Sequence, residues 1–216
     1  MKRRRKKKSR VITLLFMLCF SIILISKLVE GNPPDILNLN KSFTNVKKYE
    51  PLIHDELKQY KMEKYTPVLV ALMQQESHGK GGDPMQASES AGLARNTIQD
   101  PKESIRAGVK HFRRAVIYGN QRKVDFPTII QAYNMGTGYI DYVAEHGGKH
   151  SEELAKKFSL QQVKRNPTIY NCGGNKFNFR YPYCYGDYTY STKVSKNIQS
   201  LAESVPASGS QKSFNF

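Results

Sequence analysis

The chain of 216 residues has no tryptophan, although it contains 13 tyrosines and 10 phenylalanines. With this unbalanced aromatic content, tyrosine side chains are expected at the surface. The sequence also has no internal repeat. Strict alternation of apolar and polar residues is scarce, which argues against a mainly β domain. The fold class predicted is therefore mainly α, with room for a small hairpin.

Metal-binding and cofactor-binding signatures are also missing from the sequence. No two histidines have the spacing by which one helix face holds zinc in metallopeptidases. We therefore predict no metal site and no cofactor. Surface or packing positions are expected for the five histidines, which are His54, His78, His111, His146 and His150.

Positive charge is concentrated at the N-terminus. Eight Lys and Arg residues lie in residues 1–10, and the remaining chain carries +8 of the formal net charge of +16. The apolar run at residues 11–29 follows at once and approaches the length of about 20 residues that spans a bilayer. Because the positive-inside rule keeps a basic segment in the cytoplasm, we interpret 1–10 as a cytoplasmic head and 11–29 as a transmembrane anchor.

A cleaved signal peptide is the competing interpretation of the apolar run. No small-x-small cleavage site lies near residues 26–32, and the run is long for a signal peptide, so an uncleaved anchor is favoured. The basic head also resembles a nucleic-acid patch. Since membrane orientation already accounts for that charge, we predict no nucleic-acid partner. The expected location is the cell membrane, crossed once, with the C-terminal domain outside the cytoplasm.

The rest of the chain divides into a linker at residues 30–45, one domain at 46–203 and a disordered, serine-rich tail at 204–216. Apolar spacing predicts a first helix at 46–60, and Thr66 is expected to cap a second that begins at Pro67. Asp100 caps a third helix, whose buried face is Ile105, Val109, Phe112 and Val116. Further helices are predicted at residues 127–134, 139–145, 151–158 and 192–204.

Glu76 stands at the end of the apolar second helix, just before a glycine-rich loop. Apolar surroundings and the carbonyl-rich helix terminus both disfavour a carboxylate, so the pKa of Glu76 is expected to be raised. A general acid that works near neutral pH requires this property. Taken alone, the same pattern also fits a solvated glutamate that only closes a helix.

Cys172 and Cys184 lie in a loop-rich segment that the predicted topology places outside the cell. A pair of cysteines closing so short a loop outside the cell favours a disulfide. A cysteine peptidase is the rival interpretation, with His146 or His150 as the base. Neither cysteine opens a helix and no local sequence positions a base, so the disulfide is favoured.

Four signals occur in one order along the chain. They are Glu76-Ser77, Asp83-Pro84-Met85-Gln86, the Asp100-Pro101 cap before Ile105-Arg106-Ala107-Gly108, and Ala132-Tyr133-Asn134-Met135-Gly136. Together they resemble the goose-type lysozyme and soluble lytic transglycosylase superfamily over about residues 46–203. The likeness is closest to the muramidase domains that accompany conjugative elements of Gram-positive bacteria, and Asp83-Pro84 departs from the Gly-Leu that is common in the superfamily.

The resemblance implies a lysozyme-like domain that cleaves the β-1,4 bond between N-acetylmuramic acid and N-acetylglucosamine in peptidoglycan. Glu76 would be the general acid, and Gln86, Tyr133 and Asn134 would bind the glycan strand. Ser77 would either cap the helix carbonyls or hold the Glu76 carboxyl. Met85 is expected to be a core residue. A conjugation or secretion apparatus is the partner that this family suggests.

The second carboxylate of ordinary glycoside hydrolysis is not evident from the sequence. Asp83 and Glu89 are the candidates, because both follow Glu76 on the adjoining loop. If neither acts, the N-acetyl group of the substrate can assist, or its 6-hydroxyl can close a 1,6-anhydro ring. Hydrolase and lytic transglycosylase therefore both remain open, as does a wall-binding module that has lost catalysis.

Overall fold

The computed structural model describes residues 43–204, and in this range every regular element is a helix. The small hairpin that the sequence analysis allowed for is not present in residues 43–204. Long loops precede the third and the last of the helices labelled below. In chain order, these are α1 (Glu50–Lys58), α2 (Thr66–Ser77), α3 (Pro101–Gln121), α4 (Phe126–Met135), α5 (Gly138–Ala144), α6 (Glu152–Arg165) and α7 (Tyr190–Glu203).

The first predicted helix is interrupted. Residues 43–47 are helical, a turn follows at 48–49, and α1 begins at Glu50. Pro51 lies in the first turn of α1, and proline has no N–H to continue a helix from the preceding turn. Of the apolar residues whose spacing predicted this helix, Val46, Ile53 and Leu57 are fully buried, and Tyr49 and Tyr60 are partly buried.

Helix α2 runs through the core and has buried residues from Thr66 to Gln74. The predicted capping role of Thr66 is wrong, because the helix includes this residue. The 3-10 turn Glu63–Tyr65 leads directly into α2, and the Thr66 hydroxyl donates to the Glu63 carbonyl at 2.7 Å. The helix ends at His78, which adopts a left-handed conformation with φ of 57°.

The start of α3 agrees with its sequence signals. The Asp100 side chain accepts a hydrogen bond from the Lys102 N–H at 3.0 Å, which satisfies one of the free donors at the helix start. All four predicted core residues of this helix are buried, namely Ile105, Val109, Phe112 and Val116.

Helix α7 begins at Tyr190, two residues before the predicted start at Thr192. Asp187 explains the difference. Its carboxylate accepts the Thr189 N–H at 2.9 Å, and its carbonyl accepts the Tyr190 N–H at 3.0 Å. This turn brings Tyr190 onto the first position of the helix.

Two hydrophobic clusters make up the core of residues 43–204. The larger one joins α1, α2, α3, α4 and α7, and α2 packs against both α1 and α7. The smaller one lies between the end of α4, α5 and α6, and contains Met135, Tyr139, Val143, Ala155 and Phe158.

None of the helices in residues 43–204 has the length and apolar character required to cross a bilayer. The predicted head, anchor and most of the linker, and nearly all of the predicted tail, lie outside the described residues.

Candidate active site

Glu76 occupies the last turn of α2, where its side chain is partly buried. The Tyr190 hydroxyl donates a hydrogen bond of 2.5 Å to Oε1 of Glu76. Tyr190 itself is only 2% exposed, so this donor is held in place by the core. The contact joins two residues that are 114 positions apart in the chain.

Burial raises the pKa of Glu76 to about 7. The hydrogen bond from Tyr190 acts in the opposite direction, because it favours the ionised carboxylate. The nearby negative charge of Asp83 raises the pKa, and the positive charge of Arg95 lowers it. Near neutral pH the carboxyl is therefore protonated in a large fraction of molecules, which suits a proton donor.

Asp83 is a buried carboxylate that organises the loop after α2. Its Oδ1 accepts hydrogen bonds from the Ala87 N–H at 2.9 Å and the Ser104 hydroxyl at 2.7 Å. Its Oδ2 accepts from the N–H and the hydroxyl of Ser88, at 3.1 and 2.6 Å. Burial alone would raise the pKa of Asp83, but these hydrogen bonds outweigh it and lower the pKa. Asp83 is therefore held as an anion beside Glu76.

Ser77 connects the end of α2 to the same loop. Its hydroxyl donates to the Pro84 carbonyl at 2.7 Å and accepts the N–H groups of Gly79 and Lys80 at 3.1 and 3.3 Å. Among the described residues its hydrogen bonds go to loop backbone, not to the Glu76 carboxyl. The structure thus gives Ser77 a supporting position behind Glu76.

Gln86 and Met85 follow in the loop and face different environments. Gln86 is partly exposed, has a positive φ of 47°, and its amide donates to the Asp83 carbonyl at 3.0 Å. Met85 is fully buried, as predicted. The Met85 N–H donates to the Ser104 hydroxyl at 2.9 Å, so the turn is fixed against α3.

Tyr133 lies near Glu76 but is turned into the protein. Its hydroxyl donates to the Met85 carbonyl at 3.1 Å, and the residue is 7% exposed. His111 packs edge-on against its ring, with centroids 4.7 Å apart, and contacts the Tyr133 carbonyl through Nε2 at 2.9 Å. Burial, followed by the charges of Glu76 and Asp83, raises the pKa of Tyr133 well above its usual value, so the phenol stays protonated.

Asn134 is exposed and holds the loop that leads into α7. Its Oδ1 accepts the Asp187 N–H at 2.7 Å. Gly186 has a positive φ of 65°, and a Cβ atom there would lie 2.7 Å from this oxygen. Only glycine permits so close an approach in this backbone conformation.

Tyr190 is the site residue that sequence reasoning missed. Buried Gln131 helps to position it, because the Gln131 amide donates to the Asp187 carbonyl at 2.7 Å and its Oε1 accepts the Ser191 N–H at 3.0 Å. The feature of the sequence that could have pointed to Tyr190 is the high tyrosine content of the segment before α7. Nothing local in that segment distinguishes the tyrosine that meets Glu76.

Glu89, the other candidate for a second carboxylate, lies at the surface. It begins the 3-10 turn Glu89–Ala91, and its side chain is exposed. Arg95 follows in the same exposed loop, close enough for its charge to affect the pKa of Glu76.

Cys172 and Cys184 form a disulfide across the loop that precedes α7. The end of this loop is fastened to the domain by Tyr185, whose N–H donates to the Ser159 hydroxyl at 3.1 Å and whose hydroxyl donates to the Met135 carbonyl at 2.9 Å. Within residues 43–204, no group of His, Cys, Asp and Glu side chains is arranged to hold a metal ion.

A helical domain with a protonatable glutamic acid at the end of a buried helix is the arrangement expected of the lysozyme-like class. A family model described as Lysozyme-like matches residues 43–198. The chain belongs to the lysozyme-like family, and the resemblance drawn from the motifs is confirmed.

Two relatives align over most of their length. The chain is 50% identical over 192 residues to the uncharacterized membrane protein YocA of Bacillus subtilis strain 168, which covers 89% of this chain and 83% of that protein. It is 31% identical over 170 residues to pneumococcal vaccine antigen A of Streptococcus pneumoniae serotype 4, which covers 74% of this chain and 82% of that protein.

Two further similarities are to parts of longer proteins. The bifunctional muramidase/DL-endopeptidase CwlT of Bacillus subtilis strain 168 is 46% identical over 96 residues, which cover 44% of this chain and 28% of CwlT. A crystal structure of a protein similar to an NLP/P60-family lipoprotein from Staphylococcus aureus Mu50 superposes with a TM-score of 0.62 at 33% identity, and covers 77% of this chain and 55% of that one.

Proposed function

We propose that this protein is a peptidoglycan muramidase that cleaves the β-1,4 bond between N-acetylmuramic acid and N-acetylglucosamine. The observation that carries the proposal is the partly buried carboxyl of Glu76, held by the hydroxyl of buried Tyr190 at the end of α2. The similarity to CwlT, whose name includes muramidase, supports the same reaction.

Glu76 acts as the general acid. Its proton passes to the glycosidic oxygen while the bond from that oxygen to C1 of the muramic acid breaks, and the 4-hydroxyl of N-acetylglucosamine leaves. Positive charge then develops on the muramic acid ring, and the carboxylate left on Glu76 stabilises it. Tyr190 helps at this stage, because its hydroxyl donates to the newly ionised oxygen.

Water completes the reaction in the muramidase. The carboxylate of Glu76 accepts a proton from the water that attacks C1, either directly or after the N-acetyl oxygen of the substrate has bonded to C1 and is displaced by that water. Asp83 has a supporting role, because each of its oxygens already accepts two hydrogen bonds from the protein. Its negative charge helps Glu76 to retain the proton before the reaction.

A lytic transglycosylase is the second candidate, and the engagement of Asp83 by four protein donors favours it. In residues 43–204, Asp83 is the carboxylate whose charge acts on Glu76, and protein donors already occupy it. Glu76 would therefore first donate its proton and then accept one from the 6-hydroxyl of the muramic acid. That oxygen would attack C1 and form the 1,6-anhydro ring. No water is consumed in this version, so the two products differ by the mass of one water.

The remaining predicted site residues divide into two roles. We assign glycan contacts to Gln86 and Asn134, whose amides are at least partly exposed and can donate to hydroxyl and N-acetyl groups,. Ser77 and Tyr133 use their hydroxyls on backbone carbonyls. We therefore assign them to holding the loop and α4 in place around Glu76.

We further propose that residues 11–29 anchor the protein in the cell membrane and that the domain at 46–203 works in the adjoining wall. The word membrane in the name of the relative that is 50% identical supports this location. Cutting glycan strands next to the membrane would open space for a conjugation or secretion apparatus, which is the partner we propose.

The test is digestion of purified peptidoglycan by the full chain, with the products analysed by mass spectrometry. We expect Glu76→Gln to release no muropeptides, while Glu153→Gln, which removes an exposed carboxylate on α6, releases as much as the unmodified protein. Reducing ends support the muramidase, and anhydro-muramyl ends support the transglycosylase. Peptidoglycan binding without any product would identify a wall-binding module, and undiminished release by Glu76→Gln would remove this residue from its role.

A further inference from the structure

The loop that leads into α7 displays most of the exposed large hydrophobic side chains of the described part of the chain. We call residues 166–184 the aromatic loop. Its exposed members are Ile169 at 69%, Phe177 at 99%, Phe179 at 64% and Tyr181 at 45%. In residues 43–204, only Leu93 and Ile117 outside this loop are comparable. Exposed apolar residues concentrated in one place mark an interaction surface.

The aromatic loop has a defined shape that keeps these side chains outward. The disulfide between Cys172 and Cys184 closes its larger part, residues 172–184, which contains Phe177, Phe179 and Tyr181. Within it, the side chains of Asn171, Asn175 and Asn178 each accept a backbone N–H two residues further along, at 2.9 to 3.0 Å. These local turns provide hydrogen-bond partners for three backbone N–H groups of the loop, while its exposed apolar side chains lie outside the hydrophobic core.

The charged side chains within the aromatic loop and its immediate flanks, residues 164–186, are all positive. Residues 164–186 contain Lys164, Arg165, Lys176 and Arg180, and no Asp or Glu. The guanidinium of Arg180 also lies over the exposed ring of Phe179, 6.0 Å from its centroid. Lys193 lies 5.1 Å from the same centroid, but its ammonium is paired with the Asp187 carboxylate at 2.6 Å, so Lys176 and Arg180 supply the positive charge of the loop itself. Apolar side chains with adjacent cations match the interface of a membrane that contains anionic lipids.

We propose that the aromatic loop docks the domain onto the surface of an anionic lipid membrane. Ile169 and Phe177 carry no polar side-chain atom, so they gain free energy by entering the boundary between headgroups and acyl chains. A glycan strand fits this surface less well, because sugars need a flat open ring and hydrogen-bonding groups. Ile169 has no ring, and the face of Phe179 is already approached by cations.

The length of the predicted linker is compatible with docking. If residues 11–29 cross the membrane, the 13 residues at 30–42, which precede the helical residues 43–47, reach at most about 47 Å,. The domain then remains near the bilayer, and tethering raises the effective concentration of the loop at the lipid surface. Docking does not depend on the proposed glycan cleavage, since it uses none of the residues assigned to the reaction.

The absence of tryptophan from the chain provides a direct test. Phe177→Trp places a single fluorescent reporter at the most exposed position of the loop. Ile117→Trp is the matched control, because this residue on α3 is 41% exposed and lies outside the loop. Both full-length variants are reconstituted with vesicles of phosphatidylcholine alone or mixed with phosphatidylglycerol, some of them with brominated acyl chains that quench tryptophan.

We expect the emission of Phe177→Trp to shift to shorter wavelength and to be quenched in vesicles that contain phosphatidylglycerol, and that of Ile117→Trp to remain unchanged. Adding Lys176→Gln to Phe177→Trp should lower the ratio of docked to free loop about fivefold, because one cation near such a surface contributes about 1 kcal/mol. Equal spectra in the two lipid mixtures, or equal quenching of both reporters, would overturn the proposal. A shift caused by purified peptidoglycan but not by vesicles would overturn it too and assign the loop to wall polymers.

Discussion

The raised pKa of Glu76, which suits this residue to the proposed chemistry, also makes the folded protein less stable at neutral and alkaline pH. Its pKa is about 7 in the folded protein against an ordinary value of 4.5, so the folded state binds the proton more tightly than the unfolded state does. Below about pH 4.5 both states are protonated and stability is unaffected. As pH rises from there to about 7, the unfolded chain loses the proton first and the folded state becomes less stable. Above pH 7 the difference is constant.

Replacing Glu76 by Gln should therefore stabilise the protein in a pH-dependent way. We expect almost no difference from the unmodified protein at pH 4 and a gain of about 3.5 kcal/mol at pH 8, since the pKa values of about 7 and 4.5 differ by about 2.5 and one pKa unit corresponds to about 1.4 kcal/mol,. The Gln amide oxygen still accepts the Tyr190 hydroxyl. Unfolding at both pH values, followed by circular dichroism, measures the effect, and Glu153→Gln should show no such dependence. A gain that is equal at pH 4 and pH 8 would contradict the buried state of Glu76.

Tyr190→Phe removes the hydroxyl that donates to Glu76. Because this hydrogen bond lowers the pKa of Glu76, its loss should raise the pKa and move the alkaline limb of the rate profile to higher pH. The rate itself should fall by about 10- to 100-fold, as a hydrogen bond to a charged group contributes about 1.5–3 kcal/mol. The measurement is kcat/KM on solubilised peptidoglycan as a function of pH.

Tyr188→Phe is the control for this experiment, because Tyr188 is partly exposed and lies two residues before Tyr190 in the same segment. Its profile should match that of the unmodified protein. An alkaline limb that moves to lower pH in Tyr190→Phe would show that the hydroxyl does not stabilise the carboxylate.

At the scale of elements, the contact between α3 and the loop after α2 determines where Glu76 and its neighbours lie. A Cβ atom at Gly108 would be 2.8 Å from the Cβ of Met85, which is too close for both to stay in place. Met85 is fully buried and its carbonyl accepts the Tyr133 hydroxyl. The absence of a side chain at Gly108 therefore lets α3 hold the loop against α4.

Gly108→Ala should destabilise the protein by about 1–3 kcal/mol, because overpacking at this contact exceeds the gain in helix propensity. Gly138→Ala is the matched control. Its added Cβ would lie 3.7 Å from the Phe158 ring, an ordinary contact, and we expect unchanged or slightly higher stability. Chemical denaturation of both variants measures the difference. Equal effects of the two substitutions would show that the contact with Met85 does not constrain α3.

The sequence correctly predicted those helix features that are determined by residues close by in the chain. The Asp100 cap and the buried face of α3 are local patterns, and the structure has both. The start of α7 depends instead on Asp187, whose N–H is held by the distant Asn134 and whose carboxylate bonds Lys193 of α7. The break before α1 was not predicted, because the regular spacing of apolar residues favoured one continuous helix. In the structure a new helix instead begins at Glu50, with Pro51 in its first turn.

The same distinction applies to the candidate site. Glu76 and its raised pKa follow from an apolar helix end, which is visible in the sequence. The contact of Glu76 with Tyr190 joins residues 114 positions apart and has no local signature. The roles of Ser77 and Asp83 were also hidden, because their acceptors and donors are backbone groups of a loop whose path the sequence does not specify.

At the scale of the whole molecule, the predicted anchor determines where any wall cleavage takes place. Half of the formal net charge lies in residues 1–10, directly before the apolar run. A charged residue at the centre of a spanning helix costs about 2.5–3.5 kcal/mol. The pair Leu18→Arg and Ile22→Arg places two such charges in the middle of the run, so the segment should no longer insert.

We expect the unmodified full chain to remain with the membrane fraction after an alkaline carbonate wash, and the double arginine variant to be lost from it. The exchange of Leu18→Ile and Ile22→Leu keeps the apolar character and should behave like the unmodified chain. Intact mass distinguishes an anchor from a cleaved signal peptide, since an anchored protein keeps residues 1–29. If the mature chain lacks this segment, the domain acts untethered in the wall, and docking through the aromatic loop would be its remaining contact with lipid.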